Sequence, residues 1–214
     1  MCGMIIPNWK KMDYFSRIVK VIVELEQQSD WYSKCLSKNV NLKVMEKEDI
    51  PLLVEWFNNP KVLGEYNSLR QLSRIDMEKA FESENFSESY IFIIEKKDGS
   101  KIGFINHFNV IWNGIGKPLT IAYCLIPAER GNGYCTEATQ IIVDYLFLNR
   151  EISCIQATTY VKNIASQRVL EKVGFKKEGI MRKRFYIRGI WQDQCLFSIL
   201  REEWKEPKIL TRTA

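Results

Sequence analysis

Apolar residues return along this chain at two rhythms, every second residue in some stretches and every third or fourth in others. Phe15, Ile18, Val19 and Ile22 fall at i, i+3, i+4 and i+7, which predicts an amphipathic helix over Asp13–Gln27. It reads as a helix packed on the main body rather than one lying on a membrane. Asn41–Met45 is a short alternating strand. Ile50, Leu53, Val54 and Phe57 then make one helical face, opened by acidic residues and Pro51 and stopped by Asn58-Asn59-Pro60. A less regular helix follows over Ser73–Ser83, with Met77, Ala80 and Phe81 turned inward.

The rhythm then shortens. Tyr90–Glu95 is apolar almost throughout, as in a strand covered on both faces. Lys97-Asp98-Gly99-Ser100 is a hairpin turn. Lys101–Val110 alternates, placing Ile102, Phe104, Phe108 and Val110 on one side and Gly103, Ile105, His107 and Asn109 on the other. After a loop at Asn113–Pro118, Leu119–Ile126 is the next strand, with Leu119, Ile121, Tyr123 and Leu125 on one face. Ala138, Ile141, Ile142, Tyr145 and Leu146 fit a helix at every position, and Ile152–Tyr160 returns as a strand. Strand, helix, strand is a right-handed crossover, so those two strands run parallel. Asn163–Lys172 is a shorter helix with Ala165, Val169 and Val173 in register, stopped by Gly174. A long strand from Phe175 turns at Arg188-Gly189 into Ile190–Leu200, where Trp191, Cys195, Phe197 and Ile199 share a face.

The order β-α-α-β-β-β-α-β-α-β-β is an α+β fold: a mixed, mostly antiparallel twisted sheet of about seven strands with helices on both faces. It divides into an extension (1–40), one domain (41–203) and a patternless tail (204–214).

Composition narrows the class. Hydrophobic residues at 46% and charged residues at 27% are globular values, and no apolar run approaches the ~18 residues a membrane span needs. The N-terminus lacks the order of a signal peptide. Six cysteines scattered singly suit reduced thiols in a cytoplasmic protein. One histidine and no CxxC pair argue against a metal site. The net charge of +5 is spread along the chain, without the clustering a nucleic-acid partner needs.

The chemistry concentrates between Ile121 and Ala138. A strand feeds Arg130-Gly131-Asn132-Gly133 and then a helix start, which is physically an anion cradle of free amides at a positive helix end. The GxGxxG dinucleotide pattern fails because position 136 is threonine, and the P-loop fails because no Gly-Lys-Ser/Thr follows. Arg130 through Ala138, then Asn163-Ile164-Ala165-Ser166, then Gly174-Phe175-Lys176-Lys177-Glu178-Gly179 resemble the GCN5-related N-acetyltransferase (GNAT) superfamily. Leu42–Trp56 and Ile126–Gly131 look like its RimJ/RimL branch, which acetylates ribosomal-protein N-termini and includes small-molecule relatives. The likeness covers about residues 40–202; Cys135 departs from the usual glycine or alanine, but is small.

The resemblance implies the GNAT, or acyl-CoA N-acyltransferase, fold and acetyl-CoA on the cradle. Its pyrophosphate would take N–H groups from Arg130, Gly131, Asn132, Gly133, Tyr134, Cys135 and Thr136, and its pantetheine arm would pair along Tyr123–Ile126. The thioester would sit where the strands Leu119–Ile126 and Ile152–Tyr160 splay apart. Asn163 and Ser166 would face it, Ser166 as proton donor to the thiolate; both residues equally suit a helix cap. The reaction implied is direct attack of a neutral amine in a ternary complex, with the Leu125 or Ile126 N–H on the oxyanion. Candidate bases are His107, Glu95 and Tyr123, beside a water relay. Cys124 and Cys135 lack the histidine partner a covalent route would need. An α-amine, at pKa ~8 against ~10.4 for lysine, needs least help from a base. The leading acceptor is therefore a protein N-terminus, with polyamine, amino sugar or aminoglycoside as the alternative and a non-catalytic acyl-CoA-binding module further off. Neither nucleic acid nor membrane is expected as a partner, and a homodimer is left open.

Overall fold

A computed structural model describes residues 37–67, 71–82, 89–109 and 118–209. The helix expected over Asp13–Gln27 and most of the loop before Pro118 lie outside those residues. The elements are β1 (Val40–Val44), α1 (Ile50–Asn58), α2 (Pro60–Leu63), α3 (Arg74–Glu82), β2 (Ser89–Lys96), β3 (Lys101–Asn109), β4 (Leu119–Leu125), α4 (Tyr134–Asn149), β5 (Cys154–Tyr160), α5 (Ile164–Val173), β6 (Lys176–Ile187) and β7 (Ile190–Leu200). All seven strands form one sheet, ordered β1-β2-β3-β4-β5-β7-β6. Only β4 and β5 run parallel. The expected mixed α+β architecture is the one observed. No described helix is long and apolar enough to cross a membrane.

The sheet separates two apolar layers. One packs Leu42, Phe92, Ile94, Ile105, Ile121 and Phe197 against α4 and α5. The other packs Ile93, Phe104 and Cys124 against Ile50, Leu53, Trp56, Val62 and Met77 of α1, α2 and α3. Consecutive residues of β2 thus enter opposite layers, which is why its sequence is apolar on both faces. The second layer draws on β2–β4 alone among the described strands.

Several expected faces are corrected. Ile102 belongs with Ile105 rather than Phe104, because the ladder slips between Ile94 and Glu95 and leaves Ile102 as the extra residue. Ala80 is exposed, leaving Met77 and part of Phe81 to hold α3. On α5 the buried residues are Leu170 and Val173 while Ala165 is exposed. Polar bonds orient that helix: Gln167 Nε2 donates to the Val161 carbonyl at 2.7 Å, and Asn163 Oδ1 accepts the Ser166 N–H at 3.2 Å. The stop at Asn58-Asn59-Pro60 is also a restart, since Asn59 caps the Lys61 N–H at 3.0 Å and Pro60 opens α2. Trp191 is exposed because the β6–β7 hairpin outruns the helical layer that covers Cys195 and Phe197.

The tail is folded in as far as Ile209. Asp144 of α4 is fully buried and its carboxylate gathers four donors. The Trp204 indole (2.9 Å) and Gln140 amide (3.1 Å) donate to one oxygen, the Lys208 and Ile209 N–H groups (2.9 and 2.7 Å) to the other. Trp204 also lies over Phe147, ring centroids 5.4 Å apart. These contacts bury α4 on nearly every side, beyond the single face its periodicity predicts.

Candidate active site

β4 and β5 are partners at only two positions, Leu119 with Ile155 and Thr120 with Gln156. From Ile121 onward the β5-side edge of β4 has no strand partner, and a gap opens. The other edge stays paired with β3 throughout, and past its end the Ile126 N–H donates to the Ile102 carbonyl at 2.9 Å. Backbone groups of a strand alternate between its edges, so Tyr123 and Leu125 present their N–H groups to the gap. Of the two amides expected to receive an oxyanion, Leu125's is placed for it and Ile126's is already used.

Beyond β4 a 3₁₀ turn at Pro127–Glu129 leads into the head of α4. Gly131 and Gly133 hold φ of +85° and +83°, which aims successive amides outward. After Arg130, the next amide to find a carbonyl is that of Glu137, on Gly133 at 3.1 Å. Amides 131–136 have no acceptor among the described residues. A Cβ built on Gly131 or Gly133 would meet no atom within 4 Å, so open space lies over the amides. Six free N–H groups at the positive end of a 16-residue helix suit a phosphate anion.

Arg130 is positioned otherwise than expected. Its Nε donates to the Leu125 carbonyl at 3.0 Å, its Nη2 to the Val62 carbonyl at 2.5 Å, and its N–H to Pro127 at 3.3 Å. The guanidinium thus clamps the end of β4 to α2 and caps one carbonyl on the gap's edge instead of reaching over the amides. Glu137, one turn into α4, takes the Asn39 N–H at 3.0 Å and the Asn39 side chain at 2.8 Å, which ties the approach to β1 to the cradle helix.

Ser166 and Tyr123 meet. The Tyr123 hydroxyl lies 3.0 Å from Ser166 Oγ and donates to the Ser166 carbonyl at 3.2 Å, joining α5 to the gap edge of β4. Burial, reinforced by nearby Cys135, holds the Tyr123 phenol far above its usual range. The phenol is thus held in its neutral form. Asn163 acts as a cap, its side-chain oxygen committed to the Ser166 amide. Burial likewise pushes the Cys135 thiol up to about 12, with Cys124 adding to the effect, and raises Cys124 itself. Neither is a thiolate nucleophile.

His107 and Glu95 are not brought to the gap. His107 pairs with Ile121 at its closed end, 2% exposed, between Tyr90 (5.2 Å) and Phe92 (6.1 Å). Burial, with the Arg150 charge nearby, drops its pKa to about 4, and neither ring nitrogen has a partner among the described residues. Such a ring is neutral but cannot reach an acceptor. Glu95 pairs with Asn41 and Lys101 beside the β2–β3 turn, two strands away from β4.

Residues that sequence reasoning missed lie at the open end of the gap. Tyr66, just beyond α2, stacks on Tyr160 at 5.9 Å and donates to the Lys162 carbonyl at 3.2 Å. Arg188 of the hairpin turn donates to the Gly64 carbonyl at 2.9 Å. The only signal for this loop was a tyrosine and a glycine in a polar stretch.

Sheet order, parted parallel pair and amide cradle together are those of the acyl-CoA N-acyltransferase fold. An Acetyltransferase (GNAT) domain family matches residues 39–176. A probable N-acetyltransferase, YjcK, from Bacillus subtilis is 40% identical over 114 residues, 53% of this chain and 62% of that relative. In structure the chain resembles a ribosomal-protein-S5-alanine acetyltransferase from Vibrio fischeri (TM-score 0.68, 22% identity, 78% of this chain and 96% of that one). It resembles equally a spermidine N-acetyltransferase from Vibrio cholerae in complex with CoA and spermine (TM-score 0.69, 20% identity, 77% and 97%). At those identities the two structures speak to fold alone. The chain belongs to the GNAT acetyltransferase family, and it is an N-acetyltransferase that draws on acetyl-CoA.

Proposed function

We propose that the acceptor is the α-amine at the N-terminus of a polypeptide. The observation that carries this is the disposition of the four candidate acid–base groups. The two that meet at the gap, Tyr123 and Ser166, are proton donors, and the two that could take a proton, His107 and Glu95, lie elsewhere. A site without a base suits an amine that sheds its proton readily, at pKa ~8 rather than ~10.

Acetyl-CoA supplies the acetyl group as a thioester. Amides 131–136 hold its pyrophosphate, and the free edge of β4 at Tyr123–Leu125 takes its extended arm as an added strand would pair. The Leu125 N–H donates to the carbonyl oxygen as charge develops there. The neutral amine nitrogen bonds to the acetyl carbon. As the carbon–sulfur bond breaks, the Ser166 hydroxyl, hydrogen-bonded to Tyr123, gives its proton to sulfur. It is reprotonated, through water, by the proton the new amide nitrogen sheds. The ammonium proton leaves to water at the open end of the gap.

Free-thiol release separates the acceptors. A peptide with a free N-terminus should be turned over, with kcat/KM rising to a plateau above pH ~8. The same peptide N-terminally blocked but bearing a lysine should be poor. A higher kcat/KM for spermidine or an amino sugar would overturn the reading.

A further inference from the structure

Two acidic residues flank the free amides of the cradle in sequence, Glu129 before them and Glu137 after. Both are engaged from the corner of the sheet that β1, β2 and β3 share. Lys96, at the end of β2, reaches Glu129 at 3.2 Å and answers its charge with a cation. Glu137 is held by neutral donors instead. The Lys38 and Asn39 N–H groups donate to one carboxylate oxygen, the second at 3.0 Å, and the Asn39 side-chain amide donates to the other at 2.8 Å. These donors are pinned from their far side. The Lys97 N–H donates to the Asn39 carbonyl at 3.2 Å, and Lys97 Nζ to Asn41 Oδ1 at 2.6 Å.

The grip matters because of where Glu137 stands. Side chains of a helix lean towards its N-terminus, so this carboxylate lies back over the turn of α4 that forms the cradle. A carboxylate in a first helical turn is drawn to the same unpaired amides and positive helix end as a phosphate. Glu137 is the one charged residue in that turn. Released, it would be an anion tethered beside amides 131–136, competing for their N–H groups at high effective concentration and repelling a phosphate at close range. A plain tie between β1 and α4 could use any polar pair. This one takes up both oxygens of the single group able to fill the cradle from within.

We infer that Asn39 is a positioning residue for acetyl-CoA that acts through Glu137, holding a built-in competitor away from the pyrophosphate site. The inference rests on the reading that amides 131–136 bind that pyrophosphate. Cofactor affinity is thereby set in part by the approach to β1, which lies outside the cradle itself.

Calorimetric titration of the full chain with acetyl-CoA tests this, with melting temperature measured alongside. Asn39→Ala removes the side-chain donor and should bind acetyl-CoA about fivefold more weakly. Adding Glu137→Gln removes the competing charge and should restore wild-type affinity, although the tie to β1 stays broken. A second pair guards against a folding defect. Asn39→Asp keeps the side chain's size but sets like charges together, and should bind more weakly still. Combined with Glu137→Gln it remakes the hydrogen bond with the charge on the β1 side, and affinity should return. A purely structural tie would instead lower the melting temperature and leave each double variant binding as weakly as its single. Unchanged affinity in both Asn39 variants, or a loss that Glu137→Gln does not reverse, would overturn the inference. Gly133→Asp tells that failure from failure of the cradle reading: it abolishes binding if the amides hold the pyrophosphate, whatever Asn39 does, and leaves binding intact if they do not.

Discussion

His107 should make this fold sensitive to mild acid. Its ring is buried against Tyr90 and Phe92 without a hydrogen-bond partner among the described residues, and its pKa falls from 6.5 to about 4. The unfolded chain then binds the proton more readily than the folded one, so stability falls with pH wherever this group titrates. The contribution of the neutral ring is complete above the unfolded value and is lost progressively as pH drops towards the folded one. The difference amounts to about 3 kcal/mol in full and about 2 kcal/mol between pH 7 and pH 5. Domains of this kind are stable by about 5–15 kcal/mol, so the loss is large. His107→Phe keeps a ring beside the same aromatic neighbours and removes both unpartnered nitrogens, each an omission worth about 1–3 kcal/mol. Urea unfolding at the two pH values should show the wild type losing about 2 kcal/mol more than the variant, and the variant more stable at neutral pH. An identical loss in both proteins would refute the reasoning, because His107 would then have to accept its proton in the folded state.

At the cradle, Gly133→Asp should abolish acetyl-CoA binding by calorimetry, since it puts a carboxylate over free amides at a φ of +83°. Gly99→Asp, at a φ of +85° in a distant hairpin turn, should leave binding intact; unchanged affinity in the first variant would remove amides 131–136 from the donor site. Ser166→Ala should lower kcat more than it lowers acetyl-CoA affinity, and equal losses would make Ser166 a binding group only.

The architecture was legible because most elements announce themselves locally. Tyr90–Glu95 alternates between two buried layers, α4 repeats without a miss, and Gly174 stops α5 in the left-handed conformation its position demands. The cradle was legible for the same reason, since its glycines and the helix behind them are contiguous. What failed depends on partners distant in sequence. Nothing near Arg130 says that its guanidinium will turn back to Val62, sixty-eight residues earlier. Alternation places His107 on a face but does not say that α4 will seal that face. Ile102 changed sides because of a slip in the neighbouring strand, and Tyr66 reached the gap only through the fold.

The Asp144 clasp has a bearing on how the chain is made. Synthesis delivers α4 well before Trp204, which lies sixty residues further on, and before Lys208 and Ile209. In the interval the helix carries a carboxylate destined for burial without the three donors that Trp204, Lys208 and Ile209 bring, and Phe147 lacks the Trp204 ring. The last described residues are therefore the keystone of the element that heads the donor cradle. A nascent chain halted short of Trp204 holds every motif residue of the cradle, yet lacks the clasp that seats their helix in the core.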